Sequence, residues 1–431
     1  MRARGTAARG APAGGEGEGR TWRAASGAWL GIGTAPGALV LGAQVGGRHG
    51  GALPVAVLAA GGAVMTALLA AQGRLGLRPP AGEGAGMTVL APRYLPPVAE
   101  RAFTALLAVA MAGWFGFNVG LGGAALAALT GLPDAAGAVL LTVPIAAVLL
   151  AGGGRWNAIA VATTLTAIAL IGIVAVRLPP PASPVSFARD GPFAGLAADL
   201  AGYIGYVSVF AVRAPDFTAG LRGRRDLAAC VALLVGPALA ASVVGAGVAA
   251  ASGSTDVVAV LAGPDGLPAA NLFVAASVIA PTFAAVHSGA LAVRRFLPAG
   301  RGPDGPPGAR ARPGAQVWGV LAIAVPGAVL AALRVDRMLL DWLTVLAAAL
   351  PALVPPMAAE AARRRRGRPA RPVRTWIWAP GAVLAVALTL AGHAAAAPVG
   401  LAVSAAATLA HARSARARPA SGHPIRLRIR P

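Results

Sequence analysis

Twelve apolar runs, most of them about 20 residues long, fill this 431-residue chain and decide what it can fold into. A helix rises ~1.5 Å per residue, so about 20 apolar residues cross the ~30 Å hydrocarbon core of a bilayer. The runs lie at about 27–47, 51–72, 102–130, 135–152, 156–176, 194–213, 227–251, 269–292, 316–333, 338–357, 376–393 and 398–411. Composition agrees: 57% of residues are hydrophobic and 12% are charged, with a mean hydropathy of +0.69. A soluble domain of this size needs more polar surface. The expected class is an all-α polytopic membrane protein with about twelve transmembrane helices.

A net charge of +22 would suit a nucleic-acid partner, but its distribution points to a membrane. With the amino terminus in the cytoplasm, 32 of the 37 basic residues, all arginine, fall on the cytoplasmic side. Arg48, Arg177, Arg189, Arg334 and Arg337 fall outside. That is the positive-inside asymmetry of short loops, and it also suits anionic lipid headgroups. Both termini are expected in the cytoplasm of a bacterial plasma membrane, with the lipid bilayer as partner and no nucleic acid. Residues 376–411 must hold two spans, split near His393 to Pro398, because a single span would put six carboxyl-terminal arginines outside.

Residues 1–23 lack the apolar core of a signal peptide and read as a disordered basic tail. Residues 24–297 carry spans one to eight, 298–315 a Pro-, Gly- and Arg-rich cytoplasmic linker, 316–412 spans nine to twelve, and 413–431 a second basic tail. Residues 363–374 read as another flexible linker. The lone cysteine, Cys230, excludes an intrachain disulfide and reads as a small apolar helix residue.

Span three contains Gly113-Trp114-Phe115-Gly116-Phe117-Asn118. Trp114 and Asn118, four apart, share one helix face. Within a membrane that face offers a flat stacking surface beside a hydrogen-bonding edge, the two features a nucleobase ring needs. The structural alternatives are a packing or interfacial tryptophan and an asparagine that bonds a neighbouring helix.

Span one packs three glycines and a proline into Gly31 to Gly37, which should break a regular helix. Span six carries Gly202-Tyr203-Ile204-Gly205-Tyr206-Val207-Ser208. Broken helix survives in lipid only where it is buried or lines a cavity. Breaks five helices apart fit an inverted repeat of five plus five helices around one central site. The alternative is that glycine, 58 residues here, serves close helix packing.

His287 in span eight is an ionisable group within a membrane helix, placed to bond substrate, to carry a proton, or to face an inner vestibule. Asp199, toward the outer end of span six, reads as a gate, a proton site or an interface carboxylate. Asp216 reads as ordering the inner end of span six. No catalytic residue, metal set or cofactor motif is expected: the five histidines are scattered, and no phosphate-binding loop precedes a helix. No charged ring marks a channel.

The segment Arg213-Ala214-Pro215-Asp216-Phe217-Thr218, followed by Arg222, Arg224, Arg225 and Asp226, resembles the Pro-Asp-Phe-Thr segment of the nucleobase–cation symport family 1. That family includes cytosine permeases, allantoin permeases and hydantoin transporters. Gly113 to Gly116 resembles its third helix. Trp29, Gly31, Gly33, Thr34, Leu39, Gly42 and Ala43 resemble its first. The landmarks run from about residue 22 to 297.

The resemblance implies a LeuT-type 5+5 inverted repeat plus two carboxyl-terminal helices, working by alternating access. It implies that Trp114 stacks on a planar substrate and Asn118 bonds its ring, with Gly33, Thr34, Tyr206, Val207, Ser208, His287 and Gly289 around them. It implies a cation site at Gly31, Thr34, Ala280 and Thr282, and structural or gating roles for Pro215 and Asp216. Four positions depart from the pattern. Val207, beside Tyr206, stands where some relatives carry a second aromatic. Phe283 and Ala284 stand at the hydroxyl positions of sodium-coupled members. Gly289 stands near the substrate-bonding asparagine of span eight. The coupling ion stays open between Na+ and H+. The implied function is cation-coupled import of a cytosine-like base or related planar heterocycle. The alternative is a sensing or degenerate protein of the same fold.

Overall fold

The computed structural model describes residues 19–151, 156–177, 183–187, 193–264, 266–296 and 313–417. Most of the expected tails and of the 298–315 linker lies outside these residues. Span one forms two helices, α1 (Trp22–Gly33) and α2 (Pro36–Arg48). There follow α3 (Val55–Gly76), a short α4 (Met87–Tyr94), α5 (Pro97–Thr130), α6 (Asp134–Leu150) and α7 (Trp156–Arg177). Next come α8 (Phe193–Thr218), α9 (Arg224–Ser252) and the single-turn α10 (Val257–Ala262). Span eight is divided into α11 (Ala270–Ser277) and α12 (Ile279–Val293). After α13 (Pro313–Ala332), span ten is assembled from α14 (Leu339–Ala349), a 3-10 turn at Pro351–Leu353, and α15 (Val354–Arg365). The last two helices are α16 (Thr375–Leu390) and α17 (Ala396–Ala417).

Eight of these segments are long and apolar enough to cross a membrane, and three shorter apolar helices accompany them. With α17 they make up the twelve spans. The last span is longer than the 14 residues its apolar run offers: α17 has 22 residues and carries its basic end as helix. The turn between α16 and α17 falls at 391–395, overlapping the expected split at its start and ending before Ala396 opens α17.

Span one breaks where its composition says it should. Pro36 has no N–H to continue α1 and instead opens α2 at a position that needs none. Span six does not break. Its seven-residue glycine-rich segment lies inside the continuous α8. A Cβ at Gly205 would lie 2.0 Å from the Leu343 carbonyl oxygen, so this glycine lets α14 seat directly on α8. Gly202 faces Leu340 and Leu41 at 3.1 and 3.2 Å in the same way. These glycines serve close packing, which in lipid is a main source of helix association. The tightest case joins α2 and α9. A Cβ at Gly42 would lie 1.9 Å from the Ser242 carbonyl oxygen, and one at Gly245 would lie 1.9 Å from that of Leu39.

The loops sort onto two sides. β1 (Leu53–Pro54), after span one, pairs in parallel with β2 (Val185–Ser186), after span five, on the arginine-poor side. On the arginine-rich side, Arg78 donates its N–H to the Leu221 carbonyl at 3.0 Å, and Arg20 and Leu221 form a bridge. Residues 363–374 are not the free linker expected from composition. Arg363 to Arg365 end α15, and the following loop is tied back through the Val373 N–H, which donates to the Tyr94 carbonyl at 2.6 Å.

Candidate functional site

A cavity lies where spans one, three, six and eight meet. Span three supplies Met111, Trp114 and Asn118, one face of α5 at helical spacing. Span six supplies Tyr206, Val209, Phe210, Arg213 and Phe217. Span eight supplies Pro281, Ala284, Ala285 and Ser288, and the break in span one supplies Ile32 and Ala35.

The two halves of the Gly-Trp-Phe-Gly segment do opposite jobs. A Cβ at Gly113 would lie 2.1 Å from the Trp342 ring, and one at Gly116 would lie 2.7 Å from Leu330. These glycines draw α14 and α13 onto the back of α5. Trp114 and Asn118 meanwhile face the cavity. The Trp114 ring stands edge-to-face to Phe117 at 5.6 Å and to Tyr206 at 5.9 Å between centroids, which fixes its plane. Asn118 donates from Nδ2 to the Trp114 carbonyl at 2.7 Å, and its amide oxygen accepts no hydrogen bond among the described residues. The Tyr206 hydroxyl donates to the Ile32 carbonyl at 2.7 Å, so span six holds the break in span one. Tyr206→Phe removes that donor, while the Ile32 carbonyl keeps the Ala35 N–H at 3.2 Å. The lost hydrogen bond contributes about 0.5–1.5 kcal/mol. A lower thermal midpoint of purified protein is expected, and an unchanged midpoint would contradict the assigned bond.

Other residues from the sequence reading sit elsewhere. A Cβ at Gly33 would lie 2.5 Å from the Leu234 carbonyl oxygen, and one at Gly31 would lie 3.1 Å from the Thr164 hydroxyl, so both face neighbouring helices. Gly289 packs α12 onto Ile323 and Met111. Val207 and Ser208 are buried in α8, and the Ser208 hydroxyl donates to the Gly205 carbonyl at 2.8 Å. His287 is exposed on the face next to the one that lines the cavity. Thr34 and Thr282 are buried; their hydroxyls donate to Leu30 and Val278 carbonyls at 2.9 and 2.5 Å, which leaves oxygen lone pairs to accept. Thr34 caps the end of α1, Thr282 belongs to α12, and the two helices touch. Ala280 is half-buried on α12. Pro215 lies within the last turns of α8, and a Cβ at Gly76 would lie 2.6 Å from its carbonyl oxygen.

Phe210, Arg213, Phe217 and Ser288 were missed as cavity residues. Their signal was available: Tyr206, Phe210, Arg213 and Phe217 follow one helix face, as do Pro281, Ala284, Ala285 and Ser288. Phe210 and Phe217 stack at 4.5 Å, with the Arg213 guanidinium 5.7 Å from the Phe217 centroid. Phe210 lies one turn past Val207 and supplies the second aromatic wall that Val207 lacks.

Charged pairs lie toward both loop sides of the helix bundle. Toward the arginine-rich side, Arg213 pairs with Asp216 at 2.9 Å, and Asp216 also accepts the Met87 N–H at 2.6 Å. A second cavity of about 410 Å³ shares Arg213 and Ser288 and continues to Glu100 and Arg295. On the arginine-poor side, the buried Asp199 of α8 bonds His49 at 2.6 Å and Arg48 at 3.3 Å, at the end of α2. Arg334 joins Asp336 at 2.9 Å and also pairs with Asp134. Arg337 pairs with Asp256 at 3.4 Å.

Among solved structures the fold matches Mhp1 in its inward-facing conformation, with a TM-score of 0.64 and 15% identity over 92% of this chain and 93% of that one. It matches Mhp1, a nucleobase-cation-symport-1 family transporter, closed with bromovinylhydantoin bound, with a TM-score of 0.59 and 17% identity over 93% and 94%. It also matches a Na+-coupled sialic acid symporter in a substrate-bound outward-open state, with a TM-score of 0.54 and 11% identity over 90% of each chain. By sequence the chain matches no protein-family model and no curated protein. The protein is therefore an all-α polytopic membrane protein with the LeuT-type transporter fold.

Proposed function

We propose that this protein is a cation-coupled symporter that imports a planar heterocycle, a nucleobase or a relative of one, across a bacterial plasma membrane. One observation carries the reading: Trp114 and Asn118 face a shared cavity with the broken span one and the aromatic face of span six. A ring against Trp114 would gain about 1–3 kcal/mol by stacking, while the free Asn118 oxygen would accept from a ring N–H. Apolar walls from Phe210, Met111 and Ala285 favour a neutral ring over a charged one. With both termini in the cytoplasm, the second cavity is the inward route and the Arg213–Asp216 pair stands beside it. Gly31, Thr34, Ala280 and Thr282 are the proposed set for sodium, whereas proton coupling would need a titratable side chain, for which His287 is the candidate.

Uptake of radiolabelled cytosine, uracil, hypoxanthine and allantoin by cells expressing the protein tests this, with and without sodium and with an uncoupler. Accumulation of at least one base, abolished by removing one gradient, is expected. Absence of uptake for every base would overturn the transport reading, and binding without uptake would select the sensing alternative.

The Asp199 cluster is proposed as the outer closure, because opening that side would part α2 from α8. Asp199→Asn should weaken it. In a Cys230→Ala background carrying Gln44→Cys, labelling by a membrane-impermeant thiol reagent is expected to speed up several-fold when Asp199→Asn is added. An unchanged rate would contradict an outer latch.

A further inference from the structure

A basin of about 880 Å³, measured with its opening, lies on the arginine-rich side between α15, the 367–374 loop, α16 and α17. Five arginines line it: Arg363, Arg366, Arg368, Arg371 and Arg374. Among the described residues the one carboxylate on its wall, Glu360, is already engaged. It accepts from Arg363 Nε at 2.7 Å, from Arg364 Nε at 2.9 Å and from the Arg371 backbone N–H at 2.8 Å. Arg366, Arg368, Arg371 and Arg374 are exposed and make no ion pair among the described residues. The loop that carries three of them is fixed by the Val373–Tyr94 backbone bond. Arg364 anchors the same region, its guanidinium 3.9 Å from the Tyr94 ring centroid and its Nη2 donating to the Arg93 carbonyl at 2.8 Å.

Four unneutralised guanidiniums held around one depression repel each other, and an anion placed among them removes that cost. Planar guanidinium forks match phosphate oxygens two at a time. The base of the basin is apolar, with Val373 and Ile377 buried. Beside it, Trp376, 53% exposed at the start of α16, stands edge-on to the lining residue His411 at 5.3 Å, and tryptophans are enriched at membrane–water interfaces. Basic pockets between spans on this side of a membrane suit lipid phosphates.

We propose that this basin binds a phosphate-bearing anion, taken either from the headgroup of an acidic phospholipid or from solution. It is separate from the central cavity and does not depend on what that cavity carries.

The test uses the full-length protein in detergent, followed by native mass spectrometry and thermal midpoint. Phosphatidylglycerol, phosphatidylcholine and inorganic phosphate are added in turn at matched ionic strength. Phosphatidylglycerol is expected to bind in preference to phosphatidylcholine. Arg371→Gln with Arg374→Gln should weaken it about tenfold or more. Arg371→Lys with Arg374→Lys, which keeps the charge but not the two-point fork, should lose less binding than the glutamine pair. Arg101→Gln with Arg225→Gln, two exposed arginines outside the basin, should leave it unchanged. Stabilisation by inorganic phosphate alone, lost in the Arg371/Arg374 glutamine pair, would also support the site and assign its ligand to solution. Equal binding of the two lipids without a phosphate effect, or equal losses in the two glutamine pairs, would overturn the proposal.

Discussion

Trp114→Ala is expected to lower uptake of a planar base by about 5- to 150-fold, the range that ~1–3 kcal/mol of lost stacking allows. The tryptophan is only partly buried, and its cavity-facing side carries no structural hydrogen bond among the described residues. The helix around it is held by other residues, since Gly113 and Gly116 make the close contacts to α14 and α13. The variant should therefore still insert and be extracted in normal amount. Trp114→Phe keeps a ring and should lose much less. Transport kinetics separate the effects: a raised KM at normal surface expression supports stacking. Unchanged uptake in Trp114→Ala would remove the residue from the site.

The second large effect is structural. Gly42→Ala and Gly205→Ala are expected to cut the yield of folded, detergent-stable protein more than tenfold. Alanine is the better helix former by about 1 kcal/mol, so propensity alone predicts a gain. Geometry predicts the reverse, because the added methyl carbon would lie 1.9 Å from the Ser242 carbonyl oxygen or 2.0 Å from that of Leu343. Backbone cannot swing aside as a flexible side chain does, so α2 must separate from α9, or α8 from α14. Gly236→Ala is the control, since a Cβ there meets nothing within 4 Å. Size-exclusion profiles of the three variants check this; equal monodisperse yields would contradict the packing described.

What the sequence made legible follows from what is local. The twelve spans come from apolar run length. The break in span one comes from Pro36 acting on its own helix, and the Trp114–Asn118 face comes from helical spacing. What was not legible depends on partners. Gly202 and Gly205 look identical whether they break α8 or admit α14, and only the position of Leu343 decides. The site face of span eight turns on a rotation of one residue, about 100° on a helix, which brings in Ser288 and turns out His287. Asp199 meets His49 across 150 residues of sequence, a separation no local pattern reports.

A cavity beside Trp114 that carries planar bases through the membrane must also exchange them across it. Counterflow in proteoliposomes of purified protein, preloaded with unlabelled base and given labelled cytosine, uracil, hypoxanthine, allantoin or hydantoin, measures that directly. Transient accumulation of at least one label by the wild type, strongly reduced in Trp114→Ala, is the result expected. No counterflow with any of the five in correctly folded protein, or equal counterflow in Trp114→Ala, would contradict it.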